Sequence, residues 1–394
     1  GGSVVLDIAD DWELTDRFSF TGGDADTIGL VPDGGAVQVS ALLADPNADA
    51  RAVVVGPIMG AVTGRAIGTD EFIQAFGAWE VRKDLEAFTN DISLTRAFDR
   101  GTATFGFYTS NASSDDLWTL GNVKYEVVQQ GGELLTGIEC NDPAIDSCNN
   151  NNFDIDGSGD ATTNALYAAT TFDVTDALRA DVGLRYENYQ MDYTVDDGRD
   201  GDVDFGASTD ESVVSWTAAL NYLLTDSIGL FGRVNQGHKM PIFDDYRDGR
   251  AALASGNDLI QDISQYELGV KWVTDYVSLY ATGFYTDVDP RVITFVFGGD
   301  AILTAQESQG VELDAVWETD AGFSVSLNAT LLDSEISVLS GVDEQGIDGN
   351  ETERQPGWQL RLTPTYDFDF GNLFGADVLG TVYGTFSAVD DRFG

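Results

Sequence analysis

The sequence predicts an all-β protein, an antiparallel up-and-down β-barrel that crosses a membrane. Three observations carry this prediction. Apolar and polar residues alternate with a period of two in many segments, the connections alternate between short and long, and no segment is apolar for long enough to form a spanning helix. We expect about 16 strands, with short turns on the periplasmic side and long loops on the extracellular side.

Residues 358–370, WQLRLTPTYDFDF, show the alternation most clearly. Every second residue from Trp358 to Phe370 is apolar and each residue between them is polar, which is the pattern of a strand with one apolar and one polar face. The same pattern recurs in the segments 178–187, 214–224, 266–273, 311–318 and 323–331. Pro364 cannot donate to a strand ladder, so we expect a local bulge there or a strand that has already left the membrane.

The connections distinguish a membrane barrel from a soluble sandwich, which shows the same alternation. Each tight turn is followed by a long acidic or Asn/Gly-rich connection, and a sandwich has no reason to keep all its long loops at one end. The short turns lie at 10–11, 99–101, 130–132, 175–176, 225–227, 274–275, 319–321 and near Gly371. The long loops lie at 21–85, 111–117, 140–163, 196–210, 239–262, 290–305 and 339–355.

Helical periodicity is weak, with one exception. Residues 70–88, TDEFIQAFGAWEVRKDLEA, are compatible with a short helix within a loop. The uncharged run 52–64 is interrupted by Pro57, and no uncharged run reaches the about 20 apolar residues of a spanning helix. A β-strand crosses a bilayer in about 9 to 11 residues, so insertion through strands stays open.

Aromatic residues near strand ends fit the interface girdles of a membrane barrel. Ordinary β propensity also favours aromatic residues, so this pattern supports the barrel only together with the connections. The residues are Trp12, Tyr186, Tyr222, Trp272, Trp317, Trp358 and Tyr366.

The charge balance is strongly acidic, with 67 Asp and Glu against 20 Lys and Arg and a net charge of −47. This balance argues against nucleic-acid binding, which depends on Lys and Arg, and against simple docking on anionic lipid. Carboxylates in solvated loops are compatible with such a charge, since they keep the surface soluble or collect cations.

The chain starts at Gly1 without a methionine and ends in the loop-like VDDRFG of 389–394, so we interpret it as a piece of a longer protein. No signal peptide is visible, and a piece without its natural start would not show one.

Two cysteines, Cys140 and Cys148, lie close together in a polar segment rich in Asn, Asp and Gly. Their spacing predicts a small disulfide in an oxidising compartment, with two free thiols as the alternative. The chain contains no CxxC pair, so we expect no zinc site.

Several segments carry a resemblance to a known family. They are NQGHKMPIFDDY (235–246), ISQYELGVKW (263–272), FYTDVDPRVI (284–293), ESQGVELDAVWE (307–318), RQPGWQLRLTPTY (354–366) and the final VDDRFG. In this order the segments resemble the β-barrel domain of a TonB-dependent outer-membrane receptor, most clearly from about residue 164 to the end. Such barrels have about 22 strands and a plugged lumen, so the resemblance implies that residues 1–394 are one barrel domain, incomplete at both ends and without the plug.

The resemblance implies active import rather than catalysis. A scarce nutrient such as a siderophore, a vitamin or a glycan would bind at the outer loops of a receptor in the Gram-negative outer membrane, surrounded by lipid and lipopolysaccharide. Coupling to the TonB complex would run through the plug region that precedes the barrel in the family. The alternatives are a passive porin or adhesin-like barrel without energy coupling, and a secreted soluble acidic β protein.

One acidic segment has the spacing of the first half of a calcium loop, with Gly159 at the sixth position. The ligand positions are Asp154, Asp156, Ser158 and Asp160. Ala165 stands where a bidentate Glu is expected, so we expect no full EF-hand. A looser calcium site in an extracellular loop and a solvated Asp/Gly turn remain as alternatives, and we expect no other cofactor.

Polar and aromatic residues near the loops are candidates for ligand binding, with simple solvation of the rim as the alternative. They are Asp192, Tyr193, His238, Asp244, Asp245, Tyr246 and Arg247. The acidic balance favours neutral sugars, peptides or cationic cargo, unless the local charge in the lumen differs. GRVNQGHK (232–239) departs from a phosphate-binding loop at His238 and Met240, and no G-x-S-x-G elbow accompanies the single histidine, so we expect no enzyme.

Overall fold

The computed structural model describes residues 1–44, 52–140, 151–248, 259–295, 299–342, 346–373 and 375–392. These residues form 17 β-strands in two sheets and two short α-helices. Within the described ranges, neither helix has the length and apolar character needed to cross a bilayer.

The elements follow the chain in simple order. The strands are β1 (Gly2–Ala9), β2 (Trp12–Gln38), β3 (Ala52–Gly60), β4 (Phe72–Phe98), β5 (Gly101–Val127), β6 (Leu135–Cys140), β7 (Asn151–Asp173), β8 (Leu178–Asp197), β9 (Phe205–Leu223), β10 (Ile228–Lys239), β11 (Gln261–Val273), β12 (Val277–Phe295), β13 (Gly299–Glu318), β14 (Phe323–Ser340), β15 (Trp358–Leu373), β16 (Ala376–Tyr383) and β17 (Phe386–Val389). The helices are α1 (Val39–Ala44) and α2 (Phe243–Asp248).

The large sheet is an antiparallel meander in which each strand pairs with its neighbours along the chain. Its path runs from β1 to β16 and omits only β3 and β6, which pair with each other. β17 pairs with β15 next to the end of β16, so the two short strands share one position in the sheet. The break between them, at 384–385, lies beside Pro364, and this is the irregularity expected from that proline.

The two faces of this sheet differ in chemistry, as the alternation predicts. We call the face that carries Asp91, Tyr167 and Asp181 the inner face and the opposite one the outer face. On the inner face Tyr167 donates to Asp91 at 2.6 Å and Arg233 pairs with Glu267 at 2.6 Å. The outer face exposes large apolar side chains, among them Leu166, Leu184, Leu220, Leu268, Val311 and Leu331. An apolar outer face and a polar inner face are the arrangement of a membrane barrel.

The repeated Thr-Asp turns share one hydrogen-bond pattern. The Thr175 hydroxyl accepts from the backbone N–H of Ala177 and Leu178, and the Thr225 hydroxyl repeats this pattern in its own turn. Thr274 accepts in the same way from Tyr276 and Val277, at 3.3 and 3.0 Å. A threonine hydroxyl that satisfies two backbone donors holds a tight connection, which explains why the dipeptide recurs at one end of the sheet.

The expectation of long loops at 21–85, 111–117 and 140–163 is wrong for most of these residues. β2 continues to Gln38, β4 begins at Phe72, β5 runs without a break through 111–117, and β7 begins at Asn151. Strand pairing satisfies backbone groups whatever the side chains, so polar, glycine-rich sequence continues the wall beyond the apolar band.

The turn at 130–132 is therefore at the long-loop end, because it follows β5 at Val127 and precedes β6. The two strands that the sequence interpretation placed around 111–117 are one strand. With β6 in the small sheet as well, the large sheet has fifteen strands at fourteen positions, compared with the expected about 16 strands.

The helix expected at 70–88 is also wrong, because this segment belongs to β4. Ile73, Ala75 and Val81 are buried at odd positions, with a period of two. β2 and β5 pair with the segment on its two sides. Ladders on both sides outweigh the helix propensity of residues such as Leu85 and Glu86.

A small cap covers part of the long-loop end. It consists of α1, the β3–β6 sheet and the loops beside them, around a core of Val39, Leu42, Ile58, Ile67, Ile73, Ala75, Tyr125, Val127 and Ile138. Glu133 fastens two of its loops, because its carboxylate accepts from the backbone N–H of Val62 and of Thr63, both at 2.9 Å. These bonds and one from the Thr63 hydroxyl lower the pKa of Glu133, with the hydroxyl as the largest cause.

The predicted disulfide falls at the margin of the described residues. Cys140 is the last residue of β6, and Cys148 lies outside the described ranges. The pairing of the two cysteines therefore stays a prediction.

Candidate ligand-binding site

The connection after β10 folds onto the inner face and places α2 there. Asp245 organises the start of the helix, since its carboxylate accepts from the backbone N–H of Ile242 at 3.0 Å and from Lys239 Nζ at 3.5 Å. Acidic residues in the first turn and Arg247 in the last turn match the polarity of the helix dipole. The Tyr189 hydroxyl of β8 donates to the Pro241 carbonyl at 2.6 Å and fixes the segment to the wall.

Beneath α2 the wall of β8 is aromatic and buried. Tyr189, Met191, Tyr193 and Val195 occupy alternate positions of the strand and are all buried. The Tyr193 ring stacks on Phe243 of α2, with centroids 5.8 Å apart and an interplanar angle of 24°. Burial is also the main reason why the pKa of Tyr189 is raised, so this hydroxyl stays protonated and available as a donor.

Two glycines of β7 make room for this stack. A Cβ at Gly159 would lie 2.6 Å from Tyr193 Cδ2 and 2.8 Å from Phe243 Cδ1. A Cβ at Gly157 would lie 2.3 Å from the Tyr193 hydroxyl oxygen. Neither position tolerates a side chain without movement of the rings, so the glycines of DIDGSGD serve aromatic packing.

The proposed calcium residues alternate with buried residues along β7, so the expected loop geometry is wrong. Asp156, Ser158 and Asp160 are exposed, whereas Ile155, Gly157 and Gly159 are buried. Alternate side chains of a strand stand about 6.6 Å apart and cannot wrap one ion as a loop does.

Two of the four proposed calcium residues already have protein partners. Asp154 Oδ1 accepts from Arg199 at 3.1 Å, and Ser158 donates to Asp115 at 2.7 Å. In the part of the chain that the structure describes, no three His, Cys, Asp or Glu residues form a group that could hold a metal ion. Calcium binding stays a prediction that would require rearrangement.

A charged cluster joins the other side of α2 to β4 and β5. Lys83 Nζ of β4 donates to Asp244 Oδ1 at 2.7 Å, and Arg247 Nη1 donates to the same oxygen at 3.0 Å. Lys83 Nζ also lies 3.4 Å from Asp116 Oδ2 of β5. Arg247 stacks on the Trp118 ring with its guanidinium carbon 3.8 Å from the centroid. The site thus offers an aromatic wall, two cations and two carboxylates, a set suited to orienting an organic ligand.

The cluster is mostly withdrawn from solvent. The side chain of Asp116 is fully buried and that of Arg247 is 5% exposed. The Ser114 hydroxyl donates to the other oxygen of Asp116. Because a buried charge without a partner is costly, these residues depend on one another.

Comparison with known proteins decides the family. Residues 63–393 match the family model described as TonB dependent receptor-like, beta-barrel. The chain belongs to this family of TonB-dependent receptors. Members of this family are transporters and not enzymes, and the family and fold imply a bacterial outer-membrane location.

Two sequence relatives of this TonB-dependent receptor are pesticin receptors. The receptor of Yersinia pestis is 27% identical over 216 residues, which are 52% of this chain and 29% of the relative. That of Yersinia enterocolitica is 26% identical over 211 residues, with the same shares. The chain thus aligns with less than a third of the length of these relatives.

Two solved structures share the fold of this TonB-dependent receptor. The siderophore receptor PiuA of Acinetobacter baumannii superposes with a TM-score of 0.59 and 15% identity, over 98% of this chain and 56% of PiuA. The ferric preacinetobactin receptor BauA of the same species gives a TM-score of 0.56 and 16% identity, over 98% of this chain and 51% of BauA.

The structure brings five of the seven candidate ligand residues of the TonB-dependent receptor together at α2. These are Tyr193, Asp244, Asp245, Tyr246 and Arg247. Asp192 lies on the opposite, exposed face of β8, because adjacent strand residues point to opposite sides.

His238 is the seventh candidate and ties three strands of the receptor together. Its Nδ1 lies 3.1 Å from the Ser215 hydroxyl, and its Nε2 lies 3.0 Å from Asp262 Oδ1. A serine nucleophile would need its histidine base turned the other way, with Nε2 towards the hydroxyl. In a transporter barrel this arrangement is a cross-strand link between β9, β10 and β11.

Sequence reasoning missed the wall half of the site. Lys83 and Asp116 lie in segments that were interpreted as a helix and a loop, and Trp118, Tyr189 and Phe243 were not among the candidates. The alternation of Ser114, Asp116 and Trp118 on one side of β5 was the available signal. It pointed to an inward polar face, but pairing partners were needed to recognise a strand there.

Proposed function

We propose that this receptor imports a scarce nutrient across the Gram-negative outer membrane, with a ferric siderophore-like chelate as the leading cargo class ahead of vitamins and glycans. The observation that supports this proposal most directly is the aromatic and charged site that α2 forms on the polar inner face. Family membership supports active transport, and the similar structures PiuA and BauA are named as receptors for a siderophore and for ferric preacinetobactin.

In this proposal the cargo enters from the long-loop end and binds against α2. Phe243, which is partly exposed above the buried Tyr193 ring, supplies apolar contact area, while Lys83 and Arg247 orient polar groups of the cargo. Binding is followed by rearrangement of a plug domain, with energy delivered by the TonB complex through a segment that precedes the barrel. Lipid and lipopolysaccharide surround the outer face.

A growth experiment with the complete gene tests this proposal. A deletion strain, the complemented strain and a complemented strain without TonB are grown on a panel of iron chelates, cobalamins and glycans as limiting sources. We expect one class of iron chelate to support growth only when both the receptor and TonB are present.

Two results would contradict the proposal. Growth restored by the receptor equally well without TonB indicates a passive barrel. If the receptor restores growth on glycans or cobalamins but on no iron chelate, a ferric chelate is not its cargo. A complemented strain with Tyr193→Ala and Phe243→Ala controls for the site, since it should keep receptor abundance and lose uptake.

A further inference from the structure

The outer face carries a long apolar groove, which we call the outer groove, across the strands from β8 to β14. Its volume is about 1370 Å³. Large apolar side chains border it, and Leu268, Leu331 and Val182 among them are 72%, 61% and 51% exposed. Because neighbouring strands lie about 4.8 Å apart, the groove extends for about 29 Å from β8 to β14.

Two glycines give the outer groove its depth. Gly232 and Gly283 lie on either side of Leu268 in the row of outer-facing residues that crosses β10, β11 and β12. A Cβ at Gly283 would reach only backbone oxygens, at 3.9 and 4.0 Å, and one at Gly232 would lie 3.7 Å from Leu268 Cδ1. The neighbours of these glycines therefore leave room for a side chain. A glycine of this kind within a strand is typical of a place where a ligand or another chain approaches the backbone.

Glycines on the inner face of the same wall have a different role. A Cβ at Gly269 would lie 2.3 Å from the Phe231 ring, and a Cβ at Gly310 would lie 2.7 Å from the Phe284 ring. These inner glycines make room for rings of the chain itself. Within the described residues, nothing comes within 3.4 Å of a Cβ at either outer glycine, so the space there is open to a molecule from outside.

The position of the outer groove limits what can occupy it. The outer face of a membrane barrel meets hydrocarbon, so the occupant must be apolar. A second copy of the barrel would present another convex wall, and two convex walls touch along a line without entering a groove. A single acyl chain is narrow and flexible enough to follow the groove past Leu268 and to make contacts at both glycines.

The end of the outer groove at β13 and β14 is polar. Towards the long-loop end of these strands, the outer-facing residues change from Val311 and Leu331 to Gln309 and Asp333. Gln309 Nε2 donates to Asp333 Oδ2 at 3.1 Å, and the exposed carboxylate can accept further hydrogen bonds. This acceptor favours a lipid with N–H or O–H donors close to its chains. An ester-linked phospholipid has no donor beside its ester groups.

We propose that the outer groove binds an acyl chain of an outer-leaflet glycolipid whose chains are joined through amides or carry hydroxyl groups. An N–H or O–H of the lipid donates to Asp333, and the chain runs past Gly283 and Gly232 on either side of Leu268. Lipid A, the membrane anchor of lipopolysaccharide, has this chemistry. The proposal goes beyond cargo import, because the groove lies on the opposite face of the wall from the α2 site.

Native mass spectrometry of the complete receptor tests the proposal. The receptor is delipidated in detergent and titrated with purified lipid A or with dimyristoyl phosphatidylglycerol, an anionic ester-linked phospholipid. The groove-filling variant is Gly232→Leu with Gly283→Leu. The matched control is Ala281→Leu with Ala329→Leu, which adds similar bulk to the outer face one row away and outside the groove.

We expect the wild type to bind lipid A at least about 10-fold more tightly than the phospholipid, as for one hydrogen bond to a charged group. The groove-filling variant should lose at least about 10-fold in lipid A affinity, and the control should keep the wild-type value. Leu268→Ala, which removes the side wall between the two glycines instead of filling the space, should also weaken lipid A binding. Asp333→Leu should bind the two lipids equally.

Three results would overturn the proposal. Equal lipid A affinity of the wild type, the groove-filling variant and Leu268→Ala would show that the lipid lies elsewhere. Equal affinity of the wild type for both lipids would remove the donor-bearing class. A wild-type dimer that the groove-filling variant loses, with lipid binding unchanged, would assign the groove to a second copy of the chain. Cargo and TonB enter none of these measurements, so failure of the growth experiment leaves the groove proposal standing.

Discussion

Tyr193 of β8 stacks on Phe243 of α2, and Gly159 of β7 lies against both rings with no room for a Cβ. This contact joins a strand wall to a connection that follows two strands later. The small size of Gly159 therefore determines whether α2 can pack on the inner face.

Gly159→Ala should therefore loosen α2. The added Cβ would lie within 3.0 Å of both rings, and overpacking of this kind costs about 1–3 kcal/mol. Hydrogen exchange of 243–248 should accelerate while the β-sheet content stays unchanged. Gly206→Ala on β9 is the control, because its Cβ would meet only Thr194 Cγ2 at 4.0 Å. Equal effects of the two variants would show that the ring contact does not hold α2.

Lys83 and Arg82 are adjacent cations with opposite surroundings. Lys83 lies between Asp116 and Asp244, while the Arg82–Glu80 pair is exposed. Lys83→Met should destabilise the receptor by about 3–5 kcal/mol, because Asp116 is left buried without a counter-charge. Arg82→Met should cost at most about 1 kcal/mol, as for other surface pairs. Thermal unfolding in detergent measures both, and Asp116→Asn should partly rescue Lys83→Met. Similar costs for the two single variants would argue against a buried network.

The Thr-Asp turns offer a test of local stability. Thr274→Val keeps the shape and removes the oxygen that accepts from Tyr276 and Val277, so we expect a loss of about 1 kcal/mol and faster exchange of these two amides. Thr282→Val in β12 is the control, since the Thr282 side chain makes no hydrogen bond within the described residues. A turn that exchanges at the wild-type rate in Thr274→Val would refute the role given to the hydroxyl.

The cap should open in acid. Hydrogen bonds from Thr63 and Val62 lower the pKa of Glu133 below its ordinary value of 4.5. A carboxylate with a lowered pKa in the folded state stabilises it fully above the unfolded pKa, and this contribution is lost as pH falls through the folded value. Exchange of the amides of 62–65, corrected for intrinsic rates, should therefore rise below about pH 4.5.

Glu133→Gln is the informative variant for this pH effect. It should show fast exchange already at neutral pH and little further change in acid. Glu86→Gln on the outer face of β4 should behave like the wild type. If amide exchange in the cap of Glu133→Gln still accelerates in acid as in the wild type, a group other than Glu133 is responsible.

Sequence alone predicted the barrel wall wherever the apolar face was continuous. The strands around Leu184, Leu220 and Leu268 follow from period-two alternation, and the Thr-Asp turns between them follow from turn chemistry. It failed where strands continue as polar sequence, as at 21–38 and 111–117. There the strand is stabilised by its neighbours' ladders, which a single segment does not reveal.

For the same reason, only about half of the candidate site was predicted from the sequence. Tyr193, Asp244 and Arg247 were found because they lie near a recognisable loop. Lys83 and Asp116 come from strands far away in the chain, and only the register of β4 against β5 places them side by side. The register of β7 against β8, which pairs Gly159 with Tyr193, explains why glycines at calcium-loop spacing serve a ring stack instead.

The central claim is that the outer face meets hydrocarbon and the inner face meets water. Leu220 and Ala219 are adjacent in β9 and point to opposite faces. Spin labels on Leu220→Cys and Ala219→Cys, in the complete receptor with its native cysteines replaced by serine and reconstituted in a bilayer, measure this directly. We expect dissolved oxygen to relax the label at 220 and a water-soluble nickel chelate to relax the label at 219. Equal access of the nickel chelate to both labels would contradict the barrel.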